Sequence, residues 1–112
     1  MSAVRLTRGD TWARVWTFKI KGTQQLIDLT GATARLHIRD NAKALVYAAS
    51  TANGDIVIEG AAGRVVLTVA ASITATWLPG NYKYDIEVTH SDGTVKTYEA
   101  TVLAVLEDQS HD

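Results

Sequence analysis

The run Asn81 to Thr94, NYKYDIEVTHSDGT, sorts its side chains by parity. Tyr82, Tyr84, Ile86 and Val88 fall on every second position, and Lys83, Asp85, Glu87 and Thr89 fill the gaps. Successive residues of a strand point to opposite faces, so one face of this strand is made for a core and the other for water. Asp92-Gly93 reads as the hairpin connection that follows, because Asp-Gly tolerates the dihedrals of a tight turn.

Upstream, Pro79-Gly80 turns the chain into this strand, and Tyr82 comes two residues later. In immunoglobulin-like sandwiches a tyrosine at such a corner bonds its hydroxyl back to the upstream backbone, two residues before a core cysteine. Tyr82 is the candidate for that role, with Tyr84 at the cysteine position. Two ordinary core tyrosines account for the same spacing.

The rest of the chain repeats the strand pattern. Val4 to Thr7 is a first strand closed by Arg8-Gly9-Asp10, with Gly9 as the pivot and Asp10 accepting hydrogen bonds in the turn. Thr11 to Lys21 carries Trp12, Trp16, Phe18 and Ile20 on one parity. Arg14 interrupts it, which predicts a bulge or a strand whose first half projects beyond the core. Ala32 to Arg39 alternates Ala34, Leu36 and Ile38 against Thr33, Arg35, His37 and Arg39. Leu45 to Ala49, Asp55 to Glu59 and Gly63 to Val69 add three shorter strands, and Thr94 to Leu106 is the last, with Tyr98, Ala100 and Val102 sharing a face. Ala70 to Trp77 does not alternate and reads as one turn of helix crossing between sheets. The expected fold is a single all-β domain over residues 1–112, an antiparallel immunoglobulin-like β-sandwich of seven or eight strands with one short helical turn. Residues 1–7 form an N-terminal strand or arm, and 107–112 a polar tail that frays.

Composition narrows the function. The net charge of −1 gives no field that would draw the chain to nucleic acid or an anionic membrane. Cysteine is absent, which removes thiol chemistry, thiolate metal sites and disulfides, and suits a reducing compartment. The N-terminus MSAVRLTRGD lacks the apolar stretch of a signal peptide, and no apolar run reaches the roughly 18 residues of a membrane span. The expectation is synthesis and assembly in a cytoplasm.

No motif supplies chemistry. His37, His90 and His111 are far apart in sequence and lack the spacing that gathers imidazoles around a metal. His90-Ser91-Asp92 holds the residue types of a hydrolase triad, but adjacent side chains cannot converge as a triad must. Asp85 and Glu87 share a face at roughly 7 Å, a glycosidase-like separation. Their expected neighbours are Arg35 and Arg39 on the adjoining strand, so the pair reads as exposed cross-strand ion pairs, about 0–1 kcal/mol each. The expectation is no catalytic residue, no metal and no cofactor.

Four residues are candidates for an interface: Trp12, Arg14, Trp77 and Tyr98, since tryptophan and arginine are enriched at binding hot spots. Rings that close the ends of the core are the alternative reading for Trp12 and Trp77. Asp28, Gly31, Gly80, Asp92, Gly93 and Gly9 are structural turn residues, with Gly31 supplying positive φ and Asp28 or Thr30 bonding the local backbone.

Arg8-Gly9-Asp10-Thr11-Trp12, a strand, then Asp28-Leu29-Thr30-Gly31-Ala32, with Gly80-Asn81-Tyr82-Lys83-Tyr84 and Asp92-Gly93 later, resembles the N-terminal domain of phage baseplate upper proteins and related small tail-associated proteins. The resemblance implies an immunoglobulin-like sandwich that docks into a virion through oligomeric contacts. Members with receptor-binding parts continue into further domains, whereas this pattern stops near Leu106, which implies an adaptor or decoration unit. The expected function is therefore a non-enzymatic tail, baseplate or neck protein. Its expected partners are other virion proteins and copies of itself, with no nucleic acid and no membrane. In that setting residues 1–7 and the tail would add to a neighbour's sheet edge. The alternative is a carbohydrate-binding module, which requires Trp12, Trp77 or Tyr98 side by side on one open face.

Overall fold

The computed structural model describes residues 4–107. His111, Met1 to Ala3 and the tail beyond Glu107 lie outside the described residues. Eight strands run in chain order: β1 Val4–Thr7, β2 Trp12–Thr17, β3 Thr33–Arg39, β4 Leu45–Ser50, β5 Ile56–Glu59, β6 Arg64–Val69, β7 Gly80–Thr89 and β8 Val95–Leu106. A 3-10 turn, Gly60–Ala62, joins β5 to β6, and a single helical turn α1, Ala71–Thr74, precedes β7. The strands form a five-stranded sheet in the order β1-β8-β7-β3-β4 and a three-stranded sheet in the order β2-β6-β5. That division and order are those of an immunoglobulin-like sandwich.

Parity explains the core. Ala34, Leu36 and Ile38 of β3, Val65, Leu67 and Val69 of β6, and Tyr82, Tyr84, Ile86 and Val88 of β7 are all buried. The crossing from the small sheet to the large one runs through α1, as expected from the loss of alternation. Thr74 fastens it: fully buried, its hydroxyl donates to the Asp10 carbonyl at 2.7 Å and accepts from the Gly9 N–H at 3.2 Å. Arg8 adds a bond from Nε to the Ala75 carbonyl at 3.0 Å. The β1–β2 turn is thus clasped to the helix 64 residues away in sequence. Asp10 serves this clasp through its backbone carbonyl.

Three expectations need correction. The large sheet is not wholly antiparallel: β1 pairs with β8 in parallel, Val4 opposite Leu103 through Thr7 opposite Leu106. No hairpin links those strands, so nothing forces them to run oppositely. Residues 4–7 consequently form an edge strand of the chain's own sheet. Second, β2 has neither a bulge nor a projecting half. It pairs continuously with β6 from Trp12 opposite Val69 to Thr17 opposite Arg64. Third, the buried side chains of β8 are Leu103 and Val105, the opposite parity from Tyr98, Ala100 and Val102. The register slips between Ile86 and Glu87, where Glu99 and Thr97 are the respective partners, so Tyr98 is an extra residue. A bulge of this kind resets the phase of a strand.

The turns follow their chemistry. Gly9, Gly31 and Gly93 take φ of 89, 81 and 91. Asp28 Oδ1 accepts from the Thr30 N–H at 2.9 Å and the Thr30 hydroxyl at 2.6 Å, and Asp92 Oδ1 from the Thr94 N–H at 2.9 Å. These bonds hold both carboxyls below their usual range, through Thr30 and Thr94 respectively. Gly80, with φ of 151, is the first residue of β7, opposite Val105, rather than part of a turn.

Candidate interaction surface

The interface candidates divide between core and seam. Trp12 and Trp77 are 4% and 3% exposed, so neither offers a binding surface. Trp12 comes from the small sheet and meets Tyr84 of the large sheet edge-on, with ring centroids 5.5 Å apart. Trp77 lies edge-on to Trp12 at 6.3 Å and meets Tyr47 at 5.8 Å. This aromatic cluster joins the sheets near the position that a disulfide takes in antibody domains. Such ring pairs contribute about 0.5–1.5 kcal/mol beyond their area. The indole N–H groups of Trp12 and Trp16 are buried with no acceptor among the described residues, so no hydrogen bond holds these rings.

Tyr82 is the corner tyrosine. Its hydroxyl donates to the Leu78 carbonyl at 2.5 Å, while its ring is buried. Tyr84 has a different polar partner: its hydroxyl donates to Glu99 Oε1, and burial, then that bond, raises its pKa far above the ordinary phenol value.

Arg14 and Tyr98 sit at the seam between β2 and β8. Arg14 keeps the inward parity of its strand, with Nη2 3.5 Å from Glu99 Oε1 and its guanidinium carbon 5.4 Å from the Trp16 ring centroid. The arginine is tolerated on this parity because its head emerges at the open flank of the sandwich. Tyr98 lies half-buried against Phe18, centroids 4.3 Å apart, and within 2.8 Å of His90 Nε2 through its hydroxyl. The three rings of the carbohydrate alternative therefore share no open face, because two of them are interior.

Outward surfaces show what sequence reading missed. In the small sheet Val15, Val66 and Val57 stand in one cross-strand row on the solvent face. Val15 and Val57 are 57% and 56% exposed. Ala13, Thr17 and Thr68 surround them, and the Arg64–Glu59 pair at 2.6 Å provides the charges at one end. The signal was present in Trp12 to Thr17, where Val15 occupies the polar parity.

The large sheet is charged on its solvent face. Arg35 pairs with Glu87 at 2.7 Å, as expected. The second expected pair does not form: Asp85 is opposite His37, and Arg39 is opposite Lys83. The β4 edge of this sheet is covered by Asn53. Its Oδ1 accepts from the Ser50 N–H at 3.2 Å and its Nδ2 donates to the Ala48 carbonyl at 3.2 Å, the two bonds a neighbouring peptide group would make. Edge strands are commonly blunted in such ways against unwanted pairing.

Among the described residues no group of three or more histidine, cysteine, aspartate or glutamate side chains could hold a metal ion. His37 and His90 belong to different neighbourhoods, and Asp85 and Glu87 sit among exposed charges on an open sheet face. Among the described residues no helix is long and apolar enough to cross a membrane.

No protein-family model matches the chain, and no curated protein resembles it in sequence. Among solved structures it is similar to CopC from Methylosinus trichosporium OB3b, at 12% identity and a TM-score of 0.53, covering all of this chain and 91% of the other. It is also similar to the extracellular domains 3–5 of Drosophila OTK, at 12% identity and a TM-score of 0.40, covering 94% of this chain and 33% of that one. At this level of identity the likeness to CopC speaks to the β-sandwich fold alone.

Proposed function

We propose that this protein is a non-enzymatic assembly unit of a tailed-phage particle, built into the tail, baseplate or neck alongside copies of itself. The observation that carries the reading is the Val15–Val66–Val57 row on the small sheet. Exposed branched apolar side chains in a contiguous row on a sheet face lose contact with water when another protein covers them. The opposite sheet face, with Arg35, Arg39, Lys83, Asp85 and Glu87, keeps the unit soluble before assembly. The proposed setting, the particle, rests on the short motifs Arg8–Trp12, Asp28–Ala32 and Gly80–Tyr84 that resemble those of baseplate proteins.

Mass spectrometry of purified particles tests the setting, and its absence from intact particles would refute it. Val57→Asp tests the surface. The variant is expected to fold normally, since exposed substitutions typically change stability by within about 0.5 kcal/mol, and to be missing from particles. Wild-type incorporation of the variant would remove this face from the proposal.

A further inference from the structure

The geometry points to a binding site for a small hydroxylated carboxylate on the solvent face of the large sheet. A concavity of about 440 Å³ opens there, lined by His37, Arg39, Lys83, Asp85, Ala100 and Val102 among others. Its size is that of a small-molecule site. The hollow lies where β8 presents the small apolar side chains of Ala100 and Val102 opposite Asp85 and Lys83 of β7.

The charges are unusual for a sheet surface. Arg39 and Lys83 are direct cross-strand partners, an arrangement that repels. Two same-face rows further along β3, Arg35 has its carboxylate in Glu87. Arg39 has only the Lys43 carbonyl, at 3.3 Å from Nη1, and Lys83 forms no hydrogen bond or ion pair among the described residues. An anion between the two cations turns the repulsion into two charge-assisted contacts.

The neighbouring row sets the rest of the ligand. His37 and Asp85 lie opposite one another, neither engaged in an ion pair. A bare anion would be repelled by the Asp85 carboxylate. A ligand with hydroxyl groups next to its carboxylate donates to Asp85 and exchanges hydrogen bonds with His37 instead. Its carbon skeleton then rests on Ala100 and Val102. A hexuronate has this combination of groups. The inference stands apart from the particle assignment, which rests on the other sheet.

The test is an amide NMR titration with glucuronate at constant ionic strength. Saturable shifts are expected at residues 37–39, 83–85 and 100–102. Glucose, which lacks the carboxylate, should give none, and acetate should bind more weakly than glucuronate. Lys83→Gln should weaken glucuronate binding by about three- to fivefold, the loss expected of one exposed charge pair, and Lys83→Glu should weaken it further. Arg64→Gln, on the other sheet, should leave it unchanged. Unchanged thermal midpoints would show that the variants are folded. Absence of saturable shifts with glucuronate, equal binding of glucose, or wild-type affinity in both Lys83 variants would overturn the site.

Discussion

Replacing Tyr82 by phenylalanine isolates the corner hydrogen bond from the ring that carries it. The ring is 9% exposed and keeps its packing in the variant, so only the bond to the Leu78 carbonyl at 2.5 Å is lost. Leu78 itself is 69% exposed, which lets water take over the freed carbonyl. The cost should therefore be a net hydrogen bond of about 1 kcal/mol, not the larger penalty of a stranded buried group. For a domain of this size that is a fall of about 4 °C in melting temperature. In urea, with a slope near 2 kcal/mol/M, it is a shift of about 0.5 M in midpoint at constant slope. Tyr84→Phe makes the comparison. Its hydroxyl serves a carboxylate in the partly buried seam, so its loss should cost about 1.5–3 kcal/mol. Tyr84→Phe should thus be the more damaging of two chemically identical substitutions. Equal midpoints for the two variants, or a wild-type midpoint for Tyr82→Phe, would refute this ranking of corner against seam.

Gly63→Ala should cost more than about 2 kcal/mol: left-handed backbone alone costs alanine about 1–2 kcal/mol, and the added Cβ would lie 2.7 Å from the Ile27 carbonyl oxygen at φ of 63. Gly54→Ala, at φ of 86 with nothing within 4 Å, should show only the backbone part, and equal urea midpoints would contradict the steric argument. Alkali should destabilise the fold. Burial raises the phenols of Tyr47, Tyr82, Tyr84 and Tyr98, with Tyr47 reaching about 12 from an ordinary 10.0 as Asp55 adds to the effect. A raised folded pKa means that stability is intact below pH 10 and lost between 10 and 12. Urea midpoints measured across that window should fall, and Tyr47→Phe should flatten the fall; a flat wild-type profile would count against it. Asn53→Ala should uncover the β4 edge and produce concentration-dependent association in sedimentation, whereas a strictly monomeric variant would show that the edge needs no cover.

Alternation was legible wherever a strand has one face in the core and an unbroken register, as with Leu36, Leu67 and Ile86. It misled in β8, because the bulge at Tyr98 is a property of two strands paired together and leaves no mark in one. The corner at Tyr82 was readable because a helical crossing and a following strand fix it locally. Trp12 and Trp77 stayed open between core and interface for the opposite reason. Their burial depends on Tyr84 and Tyr47, which come from distant parts of the chain. Thr74 and Asn53 carried no signal at all, since a threonine in a helical turn and an asparagine in a loop are common. Their importance comes from partners that only the folded chain supplies.

The two solvent faces have different chemistry, and that difference constrains how the unit can be used. Sheets packed face to face present opposite outer surfaces, so a partner covering the valine row leaves the Arg39–Lys83 hollow open on the far side. The Arg14–Glu99–Tyr84 seam lies between them at the flank, where the ends of an inward-facing ion pair remain about a quarter exposed. A neighbour packing along that flank would dry the pair and strengthen the coupling of Arg14 to Glu99, whereas one packing on the valine row would leave it unchanged. A double-mutant cycle on Arg14→Met and Glu99→Gln, measured for the free and the assembled protein, distinguishes the two geometries. Equal coupling in both states is the outcome required if the small sheet is the assembly face, and a stronger coupling on assembly would move that face to the flank.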